Sequence, residues 1–162
     1  MKILASALLI LALLTGCAAE ETFETVADEM LQEVAVQARE IRVDLPEDSV
    51  MPAMESEKGK IYLCGDYDVA AQILPSGDLE ATVRSISGYG IEELTVIQTA
   101  SGELDQYEFV WTTAGEMGQN IGRATILDDG NYHYVLSATI DAGLIGEYQE
   151  VWNGIFESFH LS

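Results

Sequence analysis

Few side chains in this 162-residue chain could make or break bonds, and their spacing says which chemistry they could serve. A hydrolytic site needs a nucleophile, an imidazole base and an orienting acid, so it would have to be built around His133 or His160, the two histidines present. There is no G-x-S-x-G turn. His133 falls in an alternating run, opposite in parity to Tyr132 and Tyr134, and His160 is two residues from the end of the sequence. Both read as structural, and neither a catalytic residue nor an enzymatic activity is expected. Zinc needs spaced Cys and His ligands, but neither C-x-x-C nor H-E-x-x-H occurs. Asp66, Asp68, Asp128, Asp129 and Asn131 offer hard oxygen ligands in turns. However, the D-x-[DN]-x-[DN]-G calcium loop is absent, and Asp128-Asp129-Gly130-Asn131 is also an ordinary hairpin turn. Met51, Met54 and Met117 are too scattered to make a soft copper site with His133. Gly88-Tyr89-Gly90 lacks the third glycine and the preceding strand of a dinucleotide fingerprint. No metal and no cofactor is therefore predicted.

The aromatic residues carry a different signal. Tyr107, Phe109 and Trp111 alternate along one strand-like stretch, and Tyr132 and Tyr134 along another, so each set shares a face. Rows of this kind usually build core. If they line a concave sheet surface instead, Tyr107, Trp111, Tyr132 and Tyr134 form the candidate ligand or partner surface.

Elements that would position these residues can be read from periodicity and turn chemistry. From Glu20 to Ala38 the apolar residues recur at helical spacing, yet part of the stretch alternates equally well, so helix, strand and tether all stay open. Ile41, Val43 and Leu45 alternate before Pro46 and predict a strand. Residues 47–59 read as a loop. Strands are expected at 60–65 and 68–74, then a short helix with Ser76 as candidate N-cap, Leu79, Val83 and Ile86 on one face, and an end near Gly88. Four further strands are predicted at 93–100, 105–113, 121–127 and 132–140. Gly102 and Gly130 lie in the connecting turns at hairpin distance, so these neighbours should be antiparallel. A wide apolar stripe from Leu144 to Phe159 predicts a closing helix. The order predicts an α+β domain over residues 40–162, with an antiparallel β-sheet of about six to seven strands flanked by helices and the C-terminal amphipathic helix packed on the sheet.

Composition limits the partners. With 28 Asp+Glu against 7 Lys+Arg, the formal charge is -21, which disfavours binding to nucleic acid or, by charge, to anionic lipid. At 48% hydrophobic residues the chain has enough apolar material for one core of its own.

The N-terminus carries an address. Lys2 is followed by an apolar run from Ile3 to Leu14 that is too short to span a bilayer. It ends in Leu14-Thr15-Gly16-Cys17, which resembles the lipobox of bacterial lipoproteins. The resemblance implies a signal peptide at residues 1–16, diacylglyceryl transfer to the Cys17 thiol and cleavage before it. Residues 17–39 would then be lipid anchor and acidic tether or N-terminal helix. Two acyl chains on one residue satisfy the two-signal requirement for stable anchoring. Cys64 would be left as a single thiol, expected to be buried and structural.

Over roughly residues 40–161 the chain also resembles the PsbP-like/Mog-like fold families. The resemblance rests on Ile41-Arg42-Val43-Asp44-Leu45-Pro46, the central hairpins, the strand from Gly130 to Ser137 and the closing segment Trp152-Asn153-Gly154-Ile155-Phe156-Glu157-Ser158-Phe159. It implies an α/β/α sandwich and no enzyme. The expected protein is a lipid-anchored, extracytoplasmic lipoprotein, in the outer membrane if the host has two membranes. It would be an accessory or protein-binding module with an envelope partner; the alternative is a binding protein for a cation or small ligand.

Overall fold

The computed structural model describes residues 36–49, 51–115 and 118–162. Cys17 and the stretch 20–35 lie outside the described residues. Residues 36–40 have no regular secondary structure, and β1 (Ile41–Arg42) is a two-residue strand followed by a 3-10 turn at Glu47–Ser49. Next comes a meander of β2 (Met54–Ser56), β3 (Gly59–Leu63) and β4 (Tyr67–Pro75), then α1 (Leu79–Ser87). A second meander follows, with β5 (Ile97–Ser101), β6 (Leu104–Ala114), β7 (Gln119–Asp128) and β8 (Tyr132–Asp141). The chain closes with α2 (Ile145–Ser158) and β9 (His160–Leu161).

The seven-stranded sheet has the order β2-β3-β4-β8-β7-β6-β5, and all its pairings are antiparallel. The path explains the order. Helix α1 carries the chain from the end of the first meander to the far edge, and the second meander returns strand by strand until β8 closes against β4. The nine-pair register between them runs from Tyr67↔Ile140 to Pro75↔Tyr132. With neighbours on both sides and a helix over each face, β8 is buried at every position from His133 to Ala138, which is the near-continuous burial of a strand covered twice.

Two cores result, one per face. Trp152, Ile155 and Phe156 of α2 cover Tyr67, Val69, Ala71, Tyr134, Leu136, Ala138 and Ile140. On the opposite face, Val83 of α1 packs on Phe109, Trp111, Ala124, Ile126 and Val135. Each large apolar side chain buried this way contributes about 1.5–3 kcal/mol. Asp78, not Ser76, caps α1: its carboxylate accepts from the Ala81 amide, and Gly88 ends the helix at φ 81°. The Ser76 hydroxyl donates instead to Asp128 Oδ1 at 3.2 Å. Three boundaries differ from the sequence reading. Part of the expected 47–59 loop is β2, whose three exposed residues carry no apolar period and become a strand only by pairing with β3. The stretch expected to be strand from Glu93 begins as a 3-10 turn at Ile91–Glu93, so β5 starts at Ile97. Finally, β9 forms because the chain beyond α2 meets β1, with Ile41↔Leu161 and Arg42↔His160 in register.

Candidate functional site

Tyr134 and Tyr132 organise one end of the sheet. Both project from β8 on the α2 side, with ring centroids 6.1 Å apart. The buried Tyr134 hydroxyl accepts from the Arg39 amide at 3.0 Å and donates to Asp129 Oδ2 at 2.9 Å. Tyr132 donates its hydroxyl proton to the Val36 carbonyl at 2.9 Å. The segment preceding β1 is thus fastened to the domain by two tyrosine hydroxyls almost a hundred residues away in sequence. Asp129 is itself fixed in the β7–β8 turn, where its Oδ1 accepts from the amides of Asn131 and Tyr132, both at 2.8 Å. Burial alone would push the Asp129 carboxyl up. The two amides, the Tyr134 hydroxyl and the Arg39 charge outweigh it and hold the group below the ordinary carboxylate range. Burial, with the neighbouring carboxylate, pushes Tyr134 up, so its phenol stays a donor.

Beside this cluster lies a cleft of about 550 Å³ lined by Arg39, Ser101–Leu104, Leu127, Asp129, His160 and Leu161. Arg39 Nη2 donates to the Leu161 carbonyl at 3.3 Å, and His160 Nδ1 lies 2.7 Å from the Ser158 carbonyl. The cleft joins a guanidinium to carboxylates, which suits recognition of a polar or charged group. It presents no base poised on a nucleophile. Sequence reading missed Arg39, Asp129 and His160 as neighbours; the only signal was the Asp129-Gly130-Asn131 turn immediately before the tyrosine row.

The four aromatic residues nominated from sequence do not share a surface. Tyr107 stands opposite Ile126, and Tyr134 stands opposite Leu127. Because Ile126 and Leu127 are consecutive, their side chains point to opposite faces, and the two rows part accordingly. Trp111 is 5% exposed, lies across Gly122 and packs on Phe109 at 5.7 Å between centroids. Tyr107 borders the same α1-side core. Its phenol is pushed up, first by burial and then by Asp105 and Asp128.

His133 is buried on the α1 side. Its Nδ1 lies 2.8 Å from Thr82 Oγ1 of α1, and its Nε2 lies 3.4 Å from Asp128 Oδ2. Carboxylate, imidazole and hydroxyl follow one another as in a hydrolase, but Thr82 is buried with the ring, so the row ties helix to sheet. Cys64 belongs to the α2-side core and is not brought together with His133. Asp66 accepts from the Tyr148 hydroxyl. Among the described residues, no three His, Cys, Asp or Glu side chains gather to hold a metal ion, and Met117 lies outside the described residues. Among them too, no helix is long and apolar enough to cross a membrane.

No protein-family model and no curated protein matches the chain. Solved structures do share the fold. One, from Bacteroides thetaiotaomicron, aligns with a TM-score of 0.51 at 11% identity over 75% of this chain, which spans 45% of that one. LpqN of Mycobacterium tuberculosis, described as involved in cell envelope biogenesis, aligns with a TM-score of 0.51 at 12% identity, covering 77% of this chain and 84% of its own. The cyanobacterial PsbP of Synechocystis aligns with a TM-score of 0.50 at 8% identity, covering 78% and 95%. The α+β fold of this chain is therefore PsbP-like. At these identities the likeness speaks to architecture, and function on a shared fold has to be argued from the site.

Proposed function

We propose that this chain is a lipid-anchored cell-envelope lipoprotein whose domain serves as a non-catalytic accessory or protein-binding module. The observation that carries the reading is the double tyrosine clamp on Val36 and Arg39. It grips the stretch that leads in sequence to Cys17, so load on an acylated Cys17 would reach the domain at a fixed point beside β8. The Leu14-Thr15-Gly16-Cys17 sequence supports the anchor, and the likeness to LpqN supports an envelope setting. The test is metabolic labelling with an alkyne fatty acid, followed by crosslinking in intact cells. Label on the wild type and not on Cys17→Ser, with one reproducible crosslinked protein that is lost in the variant, is the expected result. Absence of label overturns the anchor, and absence of any partner overturns the accessory role.

A second reading is favoured by the cleft, where Arg39 and Asp129 face a space of about 550 Å³, large enough for a small molecule. A ligand bound there would stabilise the folded state by RT ln(1+[L]/Kd). A thermal-shift screen of amino acids and divalent cations, repeated on Arg39→Ala, checks it; equal shifts in both proteins sink it.

A further inference from the structure

The sheet ends in two unlike edges. β2 is three residues long and stands among Glu55, Glu57, Lys58 and Lys60, with the Lys60 ammonium 3.0 Å from Glu55. Short, charged edges of this kind resist the addition of another strand. β5 is different. Its five residues, Ile97-Gln98-Thr99-Ala100-Ser101, are all exposed and carry no charge and no proline. A two-residue turn at Gly102–Glu103 closes on the Ser101↔Leu104 pair. The alternation of an antiparallel ladder then turns the backbone N–H and C=O of Gln98 and Ala100 away from β6, toward the open side. Ile97 and Val110, 57% and 55% exposed, lie on the α2 side of the sheet where α2 leaves β5 and β6 uncovered. An added strand would find unpaired backbone groups and the Ile97 side chain to pack against.

Charge selects the occupant. Glu92 and Glu93 precede β5, Glu103 and Asp105 follow it, and all four are exposed. No Lys or Arg occurs between Arg84 and Arg123. A second copy paired antiparallel about Thr99 would bring the Glu92-Glu93 end of each chain toward the Glu103 turn of the other, and like charges brought together destabilise strand pairs. A strand with an uncharged centre and cationic ends meets the opposite situation. We propose that β5 is a docking edge for an extended segment of a partner protein, uncharged at its centre and bearing Lys or Arg on both flanks. The proposal rests on the accessory-module reading and gives that module its contact surface.

The test uses the unlipidated Cys17→Ser protein and a synthetic peptide with a Thr-Val-Thr-Val-Thr core and two lysines at each end. The comparison peptide carries glutamates in their place. Titration followed by amide NMR is expected to shift the 97–101 resonances with the lysine peptide, to leave them unmoved with the glutamate peptide, and to weaken roughly tenfold as salt rises from 0.05 to 0.5 M. Ala100→Pro removes an outward N–H of an edge strand, where proline is tolerated, and should abolish binding. The combined Glu92→Gln and Glu103→Gln variant leaves the backbone and the Glu93–Gly90 capping bond alone and should sharply reduce the preference for lysine flanks. Shifts confined to other regions, equal binding of both peptides, or dimerisation through β5 would each overturn the proposal. If the crosslinked envelope partner persists while this titration fails, the β5 edge is wrong and the accessory role stands; if no partner is found yet the titration succeeds, the reverse holds.

Discussion

Trp111 and Gly122 face each other across β6 and β7, and the indole occupies the space a side chain at Gly122 would need. The geometry makes a sharp pairwise prediction. Trp111→Ala empties a site that is 95% closed to solvent, between Phe109 and the α1-side core, and should cost about 3–5 kcal/mol. For a domain of this size that lowers Tm by about 12–20 °C, at roughly 4 °C per kcal/mol. Gly122→Ala places a methyl inside the indole ring and should cost about 1–3 kcal/mol through overpacking. The backbone at Gly122 is not in the left-handed region, so the whole penalty belongs to the tryptophan. In the Trp111→Ala background the same methyl fills part of the cavity, and the Gly122→Ala cost should vanish or turn into a gain of a few tenths of a kcal/mol. A double-mutant cycle by urea unfolding, followed by far-UV circular dichroism, is thus expected to show coupling of about 1–3 kcal/mol. Costs that add to within about 0.5 kcal/mol, or a Trp111→Ala protein that loses less than about 1 kcal/mol, would refute the placement of Trp111 in the core.

Three further outcomes follow from the packing and hydrogen bonds of the fold. Thr82→Val keeps the shape but removes the hydroxyl at His133 Nδ1, leaving a buried ring nitrogen without its partner; a loss of about 1–3 kcal/mol in denaturant unfolding is expected, and no loss would contradict the Thr82–His133 contact. Asp129, held below its ordinary value of 3.8, stabilises the fold fully above that value and loses its contribution as pH falls through the lower folded-state value. Asp129→Asn should therefore narrow the stability gap to wild type as the pH drops below about 4, and a gap constant with pH would contradict the assignment. In Tyr132→Phe with Tyr134→Phe, the Val36 carbonyl and Arg39 amide lose their partners, so amide exchange at residues 36–40 should rise at least tenfold while β8 stays protected; unchanged exchange there would dismiss the clamp.

Local pattern made much of this molecule readable. The alternation of Tyr132, Tyr134 and Leu136, the glycines at 102 and 130 and the helical stripe from Leu144 to Phe159 each depend on neighbours within a few residues. Strands, turns and the closing helix follow from them directly. Elements without a hydrophobic period of their own were not readable: β2 is a strand only through its pairing with the adjacent β3, and β9 exists because two chain segments over a hundred residues apart lie side by side. The N-cap of α1 passed from Ser76 to Asp78 because Asp128, far along the chain, engages the serine.

The sequence by itself determined the α+β class, the antiparallel pairing of the second meander and the lack of motifs for metal or nucleotide chemistry, since all of these reside in local spacing. Tertiary structure decided the site. Which aromatic rows share a face depends on register across three strands, and a shift of one residue between consecutive Ile126 and Leu127 is what sends Tyr107 and Trp111 to one side and Tyr132 and Tyr134 to the other. The meeting of Arg39, Asp129 and Tyr134, and the open uncharged edge at β5, likewise arise only when strands remote in sequence are laid side by side.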